Sequence, residues 1–497
     1  MTSINSKKSL KDRTITGILW SSVQRFGTLI ISFIVNLVLA RLLTPEDFGI
    51  IGMLMVFIAL ASTLIEGGFA SALIQKKAPT QEDYSTVFFW NLILSVILFS
   101  VLFLSAPAVA SFYRLPLLGT VLRVQGIILL FNALNIIQIN ILRKQLNFKR
   151  LAQIGVSAMI SGSIVGITMA LMGFGVWSLV SKMIFISFFQ SIILWSTCRW
   201  RPSLVFSRKS FTELFKFGSL MLVSTFTNTL AFQFQSLVIG RVFSASALGY
   251  YTQARNVQRI PEQSIPQLVD QVMFPVYSAI QDNTGKVVRA IKRSLKALVF
   301  LNFPLMLLLV IIAEPLFLLL LTEKWIDSVP YFQIFCFGGM LFSLNSNNVN
   351  VIKAMGKSNY ILISTMIKRS ITLLFIFIGL QYGMTGVAVG YSLSMYFWFP
   401  VNSFFTGKLT GYGFLEQMRD IGFNYLLSFG VAVLTYIISS GLEWHFVLKM
   451  FFQISLFSSF YILFAWLFGI DGYKIYFSII NERFVKPELL GYQSKNN

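Results

Sequence analysis

The chain has 497 residues, 56% of them hydrophobic and 12% charged, with a formal net charge of +21. A soluble domain carries about 25% charged residues, so the composition excludes a soluble globular enzyme and describes a polytopic membrane protein. One histidine and two cysteines exclude a disulfide framework, and they exclude a His-based metal cluster or a Ser-His-Asp triad except around His445. No metal and no cofactor is expected. Cys198 and Cys336 read as apolar thiols near or within helices.

Fourteen apolar segments follow in order. A basic stretch with Lys7, Lys8, Lys11 and Arg13 precedes the first, near 15–39. That segment lacks a small-residue cleavage site and reads as a retained helix rather than a signal peptide. Along it Ser21, Arg25, Thr28, Ser32 and Asn36 recur at helical spacing and make one polar stripe. The second segment, 48–74, carries Glu66, and the third covers 85–107. The fourth, 118–141, carries Arg123 with Asn132, Asn135, Gln138 and Asn140. Gly162 and Gly166 in the fifth, 152–172, form a GxxxG that favours close helix packing. Lys182 lies in the sixth, 175–197.

The seventh segment, 212–239, has a sparser stripe of Ser224, Asn228 and Gln235. The eighth, 248–275, is strongly polar: Arg255, Arg259, Glu262, Pro266 and Asp270 share a face, and Pro261 and Pro266 place a kink there. The ninth, 294–320, includes Glu314, and Trp325 in the loop after it reads as an interfacial anchor. The tenth, 331–352, carries Asn345, Asn347, Asn348 and Asn350. "AMGKS" at 354–358 mimics the end of a phosphate loop, but Val351 stands where the first glycine is needed. Lys368 and Arg369 fall in the eleventh, 360–381, and the last three cover 385–407, 420–441 and 447–469.

Basic residues concentrate in alternate connections, from Lys76 and Lys77 through Arg143, Lys144, Lys149 and Arg150 to Lys408 and Arg419. Cytoplasmic loops carry such excess, so both termini are expected in the cytoplasm, and the net charge is topological rather than a sign of nucleic-acid binding. The stretch "LVLARLLTPEDFG" at 37–49 returns as "LVIGRVFSASALG" at 237–249, with Leu, Val, Arg and Gly in place. Six segments separate the copies, so the two halves share one orientation. The expected fold is all-α, about 14 transmembrane helices, with two six-helix lobes related by a pseudo-two-fold along the membrane normal. The expected divisions are a cytoplasmic N-terminus (1–14), an N-lobe (15–205), a C-lobe (206–410), two further helices (411–470) and a cytoplasmic tail (471–497). Arg41 and Arg241 are expected at the outer interface, and Gly49 and Gly249 in tight turns.

Seven Lys and Arg fall inside these segments: Arg25, Arg123, Lys182, Arg255, Arg259, Lys368 and Arg369. Only Glu66, Glu262, Asp270 and Glu314 oppose them. An ion at the bilayer centre costs about 2.5–3.5 kcal/mol on insertion scales, so these groups face protein or a water-filled cavity. Pairing every acid still leaves three cations unmatched, and the natural guest for such a cavity is an anion, phosphate or carboxylate. The seven cations are the expected anion site, with Ser21, Thr28, Asn36, Asn228, Asn345 and Asn348 as its polar lining. Each Asn or Gln taken singly also fits helix–helix hydrogen bonding. Glu262 is expected to pair with Arg259 at i−3. Glu66 has no basic residue within a turn on its own helix and is the candidate for ion coupling.

The stretches "LARLLTPEDFGI", "EGGFASALIQKK", "LGYYTQARNVQRIP", "FPVYSAIQD" and "LTEKWIDSVPYFQIFC" resemble the multidrug/oligosaccharidyl-lipid/polysaccharide flippase superfamily. Within it they are similar to the Wzx-type polysaccharide exporters of the colanic-acid kind. The resemblance spans roughly 10–410 and implies a V-shaped, two-lobed, MATE-like transporter with a central cavity, not an enzyme. It implies a lipid-linked oligosaccharide, a polyprenyl diphosphate carrying a glycan, moved from the cytoplasmic to the outer leaflet by alternating access. Membrane lipids, a polysaccharide polymerase and assembly proteins are the candidate partners, and no nucleic acid. Two alternatives stand beside this reading: a multidrug or cation antiporter of the same fold, and a non-transporting membrane subunit of a polysaccharide assembly complex. The cation excess argues against the first, and the polar stripes against the second.

Overall fold

The computed structural model describes residues 10–484, with side chains described except at 10–19, 21–26, 217, 220, 231, 232, 265, 268, 271 and 479–484. Among the described residues every regular element is a helix. The chain divides into two compact units, residues 1–249 and 250–497.

The first unit holds α1 (Leu10–Leu42), α2 (Pro45–Glu66), α3 (Phe69–Gln75), α4 (Gln81–Tyr113), α5 (Pro116–Gln125), α6 (Ile128–Lys144), α7 (Phe148–Leu171), α8 (Val176–Thr197) and α9 (Arg208–Val242). Helix α10 (Ala245–Ala279) starts at its end and continues into the second unit. There follow α11 (Thr284–Ile311), α12 (Ala313–Leu320), a 3-10 turn (Glu323–Ser328), α13 (Val329–Gly339), α14 (Phe342–Ala354), α15 (Ser358–Leu380), α16 (Gly383–Thr410), α17 (Phe414–Ser440), α18 (Phe446–Leu467) and α19 (Asp471–Phe484). Among the described residues nine stretches are long and apolar enough to cross a bilayer: α2–α3, α4, α5–α6, α7, α8, α11, α15, α17 and α18. Helix α10 is not one of them, because Arg255, Arg259, Glu262 and Asp270 and three prolines interrupt its apolar surface.

The repeated stretch acquires a physical meaning within the first unit. Thr44 and Asp47 form a capping box at the start of α2: the Thr44 hydroxyl accepts from the Asp47 N–H at 3.3 Å, and the Asp47 carboxylate accepts from the Thr44 N–H at 2.9 Å. Ser244, the counterpart of Thr44, accepts from the Ala247 N–H at 3.1 Å and caps α10. Gly49 and Gly249 lie inside these helices, not in the turns expected of them. A Cβ on Gly49 would collide with the Ala245 carbonyl, and one on Gly249 with the Pro45 carbonyl. The two contacts are reciprocal under the 200-residue offset. Only glycine lets the two backbones touch there.

Close packing also explains Gly162 and Gly166, whose missing side chains admit Ile186 and Lys182 of α8 against α7. Gly67 and Gly68, at φ 54° and 70°, separate α2 from α3. A Cβ on Gly68 would strike the Gly218 carbonyl of α9.

The second unit is held by a buried polar network. Asn348 of α14 and Gln417 of α17 exchange two amide hydrogen bonds at 2.9 Å, and Asn402 of α16 donates to Asn345 at 2.7 Å. Tyr277 of α10 donates to Asn347 at 3.0 Å, and Tyr461 of α18 reaches Asn424 of α17 at 2.9 Å and the Phe300 carbonyl of α11 at 3.0 Å. Helices α17 and α18, which carry no recognised motif, are thus fastened into this unit. Trp325, expected at the interface, is fully buried, its ring edge-on to Tyr250 at 6.2 Å. The 3-10 turn folds it inward. Cys198 and Cys336 are free and buried.

Candidate functional site

The second unit gathers charge around Tyr391 of α16. Arg255 of α10 meets Glu262, two turns on, with Nη2 at 3.0 Å from Oε2. It donates to the Tyr391 hydroxyl at 2.9 Å and to Gln258 Oε1. Its guanidinium lies over the rings of Tyr391 (5.0 Å) and Phe335 of α13 (5.7 Å). Glu262 is fully buried, and although the ion pair is close, neither carboxylate oxygen receives a well-aligned hydrogen bond. Arg255 compensates the buried carboxylate, and each group depends on the other. The expected partner of Glu262 was Arg259. The pair formed is Arg255–Glu262, because the i+7 spacing lays Arg255 over the buried face while Arg259 is exposed.

One more cation acts on the same tyrosine, and a second stands next to it. Arg369 of α15 acts electrostatically on Tyr391, and Lys368 feels both Arg369 and Lys353. Lys368 stands over the Trp398 ring at 5.8 Å. Lys368 and Arg369 are half-buried, and among the described residues neither has an acidic partner. The cluster therefore carries more positive than negative charge, with Glu262 its single acid.

The remaining expected site residues are spread more widely. Arg25 and Ser21 lie outside the described side chains. Lys182 of α8 packs its stem beside Gly166, with no ion-pair partner among the described residues. Arg123 of α5 donates from Nε to the Phe103 carbonyl at 3.3 Å. Thr28 and Asn36 are half-buried and already engaged, and Asn228 is exposed on α9. Asn345 and Asn348, expected to line a cavity, are buried in amide pairs between helices. Their polarity holds α14, α16 and α17 together.

Glu66 ends α2 directly before the Gly67–Gly68 break and lies within electrostatic reach of Arg143 of α6. A carboxylate at a helix C-terminus is opposed by the helix dipole, and Arg143 offsets that. Asp270 of α10 accepts from Ser346 of α14 at 2.5 Å.

Outside the membrane segments, Lys76 bridges Asp83 and Glu213, both at 3.0 Å. Burial pulls its ammonium down, but the hydrogen bonds and charges of the two carboxylates outweigh that and raise it above the ordinary lysine value. A cavity of about 660 Å³ opens between α11, α12, α13, α17 and α18, lined by Glu314, Gln333, Tyr436, Lys449 and Gln453 among others, and none of the expected cations lines it. Sequence reasoning missed Tyr391, Phe335 and Gln258. Gln258 shares a helical face with Arg255 and was in principle visible, whereas the two aromatics sit on distant helices and give no local signal.

Solved structures locate this architecture. The lipid II flippase MurJ, in an inward closed conformation, superposes with a TM-score of 0.72 over 90% of this chain and 99% of its own, at 16% identity. An inward-facing multidrug resistance MATE family transporter of the MOP superfamily superposes with a TM-score of 0.58 over 84% of this chain and 98% of its own, at 17% identity. The fold is that of this flippase and multidrug-transporter class.

Curated relatives narrow it further. The teichuronic acid biosynthesis protein TuaB of Bacillus subtilis is 26% identical over 71% of this chain and 73% of its own. The lipopolysaccharide biosynthesis protein WzxC of Escherichia coli is 26% identical over 78% and 79%. Residues 38–330 match the polysaccharide biosynthesis protein family. The chain belongs to that family.

Proposed function

We propose that the protein carries a polyprenyl-diphosphate-linked oligosaccharide from the cytoplasmic to the outer leaflet by alternating access, for export of a cell-surface polysaccharide. The observation that carries this reading is the excess of positive charge beside Tyr391, where Arg255 and Arg369, with Lys368 next to Arg369, meet one acid, Glu262. A diphosphate matches that sign, whereas an organic cation would need the opposite. Its guanidinium and ammonium partners would bind the headgroup in a water-filled path while the glycan crosses. The relatives' roles in teichuronic acid and lipopolysaccharide biosynthesis and the flippase neighbour support it.

In this reading there are fourteen spans, with α2–α3, α5–α6, α11–α12 and α13–α14 each counted as one broken crossing. Residues 15–205 and 206–410 are six-helix lobes, both termini are cytoplasmic, and α17–α18 are additional. Arg25, Lys182, Arg259 and Arg123 complete the cationic path as the substrate moves, and Glu66 responds to the coupling ion. A polymerase and assembly proteins receive the product.

The test is flipping of a fluorescent polyprenyl-diphosphate glycan in proteoliposomes. Lys368→Gln with Arg369→Gln should slow flipping at least tenfold at normal protein incorporation, since a charge-assisted phosphate contact is worth about 1.5–3 kcal/mol. Unchanged flipping in that double variant refutes the anion site. Dependence on a pH gradient that disappears in Glu66→Gln supports coupling there, and its persistence removes Glu66 from the mechanism.

A further inference from the structure

Helix α4 contains Pro107. Proline has no N–H, so the carbonyl four residues back, that of Phe103, loses its helical partner. Arg123 of α5 supplies one: Nε donates to it at 3.3 Å, and the guanidinium lies over the Phe103 ring at 5.0 Å. This uses one of five guanidinium N–H groups. No described residue accepts from the other four.

Helix α4 is capped at its C-terminus by Arg114, at φ 58°. That left-handed position ordinarily belongs to glycine, yet the chain places a second guanidinium there, exposed and with no acidic partner among the described residues. Between the end of α4 and the start of α5 is a notch of about 480 Å³. Arg114, Arg123, Ser111, Thr120, Pro107 and Ala110 are among its lining residues, which include no acid. Along α4 toward the bilayer interior, Ile97, Val101 and Leu104 are exposed at helical spacing, Leu104 by 77%. Two guanidiniums and two hydroxyls thus stand above an apolar helix face. This is the polar-over-apolar order of a phospholipid, and a free anion would use only its upper half.

We propose that this notch binds the phosphate headgroup of a membrane lipid, with Arg114 and Arg123 on the phosphate and the chains along Ile97, Val101 and Leu104. The loop-charge alternation puts this end of α4 in the outer leaflet. The site lies in the first unit and shares no residue with the cluster around Tyr391; it shares Arg123 with the proposed substrate path, and lipid retention reads it without any transport assay.

The experiment is native mass spectrometry of the full chain, released from membranes with phosphatidylglycerol or phosphatidylcholine as probe. The native chain should retain phosphatidylglycerol well above phosphatidylcholine. Each arginine near an anionic lipid contributes about fivefold, so Arg114→Gly should lower retention about fivefold. The same change should leave thermal stability unchanged or raised, because glycine takes the left-handed position freely. Lower retention with undiminished stability separates a lipid contact from a structural role. Arg123→Gln should also lose retention, together with some stability.

Equal retention of the two phospholipids overturns the proposal, as does undiminished retention in Arg114→Gly. Displacement by inorganic pyrophosphate at lipid-equivalent concentration overturns it too, since a soluble anion would then suffice. A polyprenyl diphosphate arm identifies the source. If it displaces phosphatidylglycerol from the native chain but leaves the residual lipid of Arg114→Gly unchanged, the headgroup is that of the carried lipid. Failure to displace identifies a resident phospholipid.

Discussion

Glu262→Gln should destabilise the protein far more than an exposed carboxylate would. Glu262 is fully buried, and its charge is met by Arg255 at 3.0 Å. Removing one member of a buried pair typically costs about 3–5 kcal/mol, because the other charge is stranded. Arg255 keeps 20% of its side-chain surface accessible and retains Tyr391 and Gln258 as partners, which puts Glu262→Gln near the lower end, about 3 kcal/mol. Arg255→Met should cost more, since Glu262 has no aligned hydrogen bond to fall back on. The double change Arg255→Met, Glu262→Gln removes both charges and should recover much of the loss. Thermal unfolding of detergent-solubilised protein, followed by fluorescence-detected gel filtration, reads all four corners of the cycle. Additive losses would refute the pairing, and so would a Glu262→Gln protein as stable as the parent. The double variant should still fail to export, which separates stability from function in one experiment.

Gly49→Ala and Gly249→Ala should each cost at least about 1–3 kcal/mol, the range for overpacking. By contrast Gly27→Ala, with nothing within 4 Å of the new methyl, should gain up to about 1 kcal/mol of helix propensity; equal thermal shifts for the three would contradict the crossing. Arg123→Gln should cost about 1 kcal/mol by uncapping the Phe103 carbonyl, and Pro107→Ala should erase that cost by restoring the N–H. A thermal-melt cycle showing additivity would rule this out. The Lys76 ammonium is raised in the folded protein, so its stabilising effect is complete below the unfolded lysine value and disappears as pH rises through the higher folded value. Lys76→Gln should therefore flatten the alkaline end of the melting-temperature profile and leave its slope below pH 9 unchanged.

Much of the architecture was legible because a bilayer forces regular signals. Apolar length is imposed by the solvent, and it marks the crossing helices directly. What could not be read was where a segment breaks. The Gly67–Gly68 break is written in the sequence, but those at Gly126 and Met340 involve right-handed backbone and no proline, and they depend on tertiary packing. The role of Gly49 and Gly249 was misread for a related reason. A glycine required by a turn and one required by a helix crossing look alike until the facing backbone is known.

The polar residues divide along a different line, and the division has a chemical cause. Amides satisfy one another, so Asn345, Asn348, Asn402 and Gln417 could collapse into pairs that exclude water. A helical stripe of amides is consequently poor evidence for a cavity. Like-charged side chains cannot pair with each other. Lys368 and Arg369 stay half-buried, Arg369 within electrostatic reach of Tyr391 and Lys368 over Trp398, with Glu262 already engaged by Arg255. The acid that looked able to neutralise the site is spent on one arginine, so the surplus charge rests on α15 rather than α10. An anion entering this unit would meet Lys368 and Arg369 as its open donors, with Arg255 already held by Glu262. Substitutions on α15 should therefore weaken binding without unfolding the chain, whereas those at Arg255 disturb both.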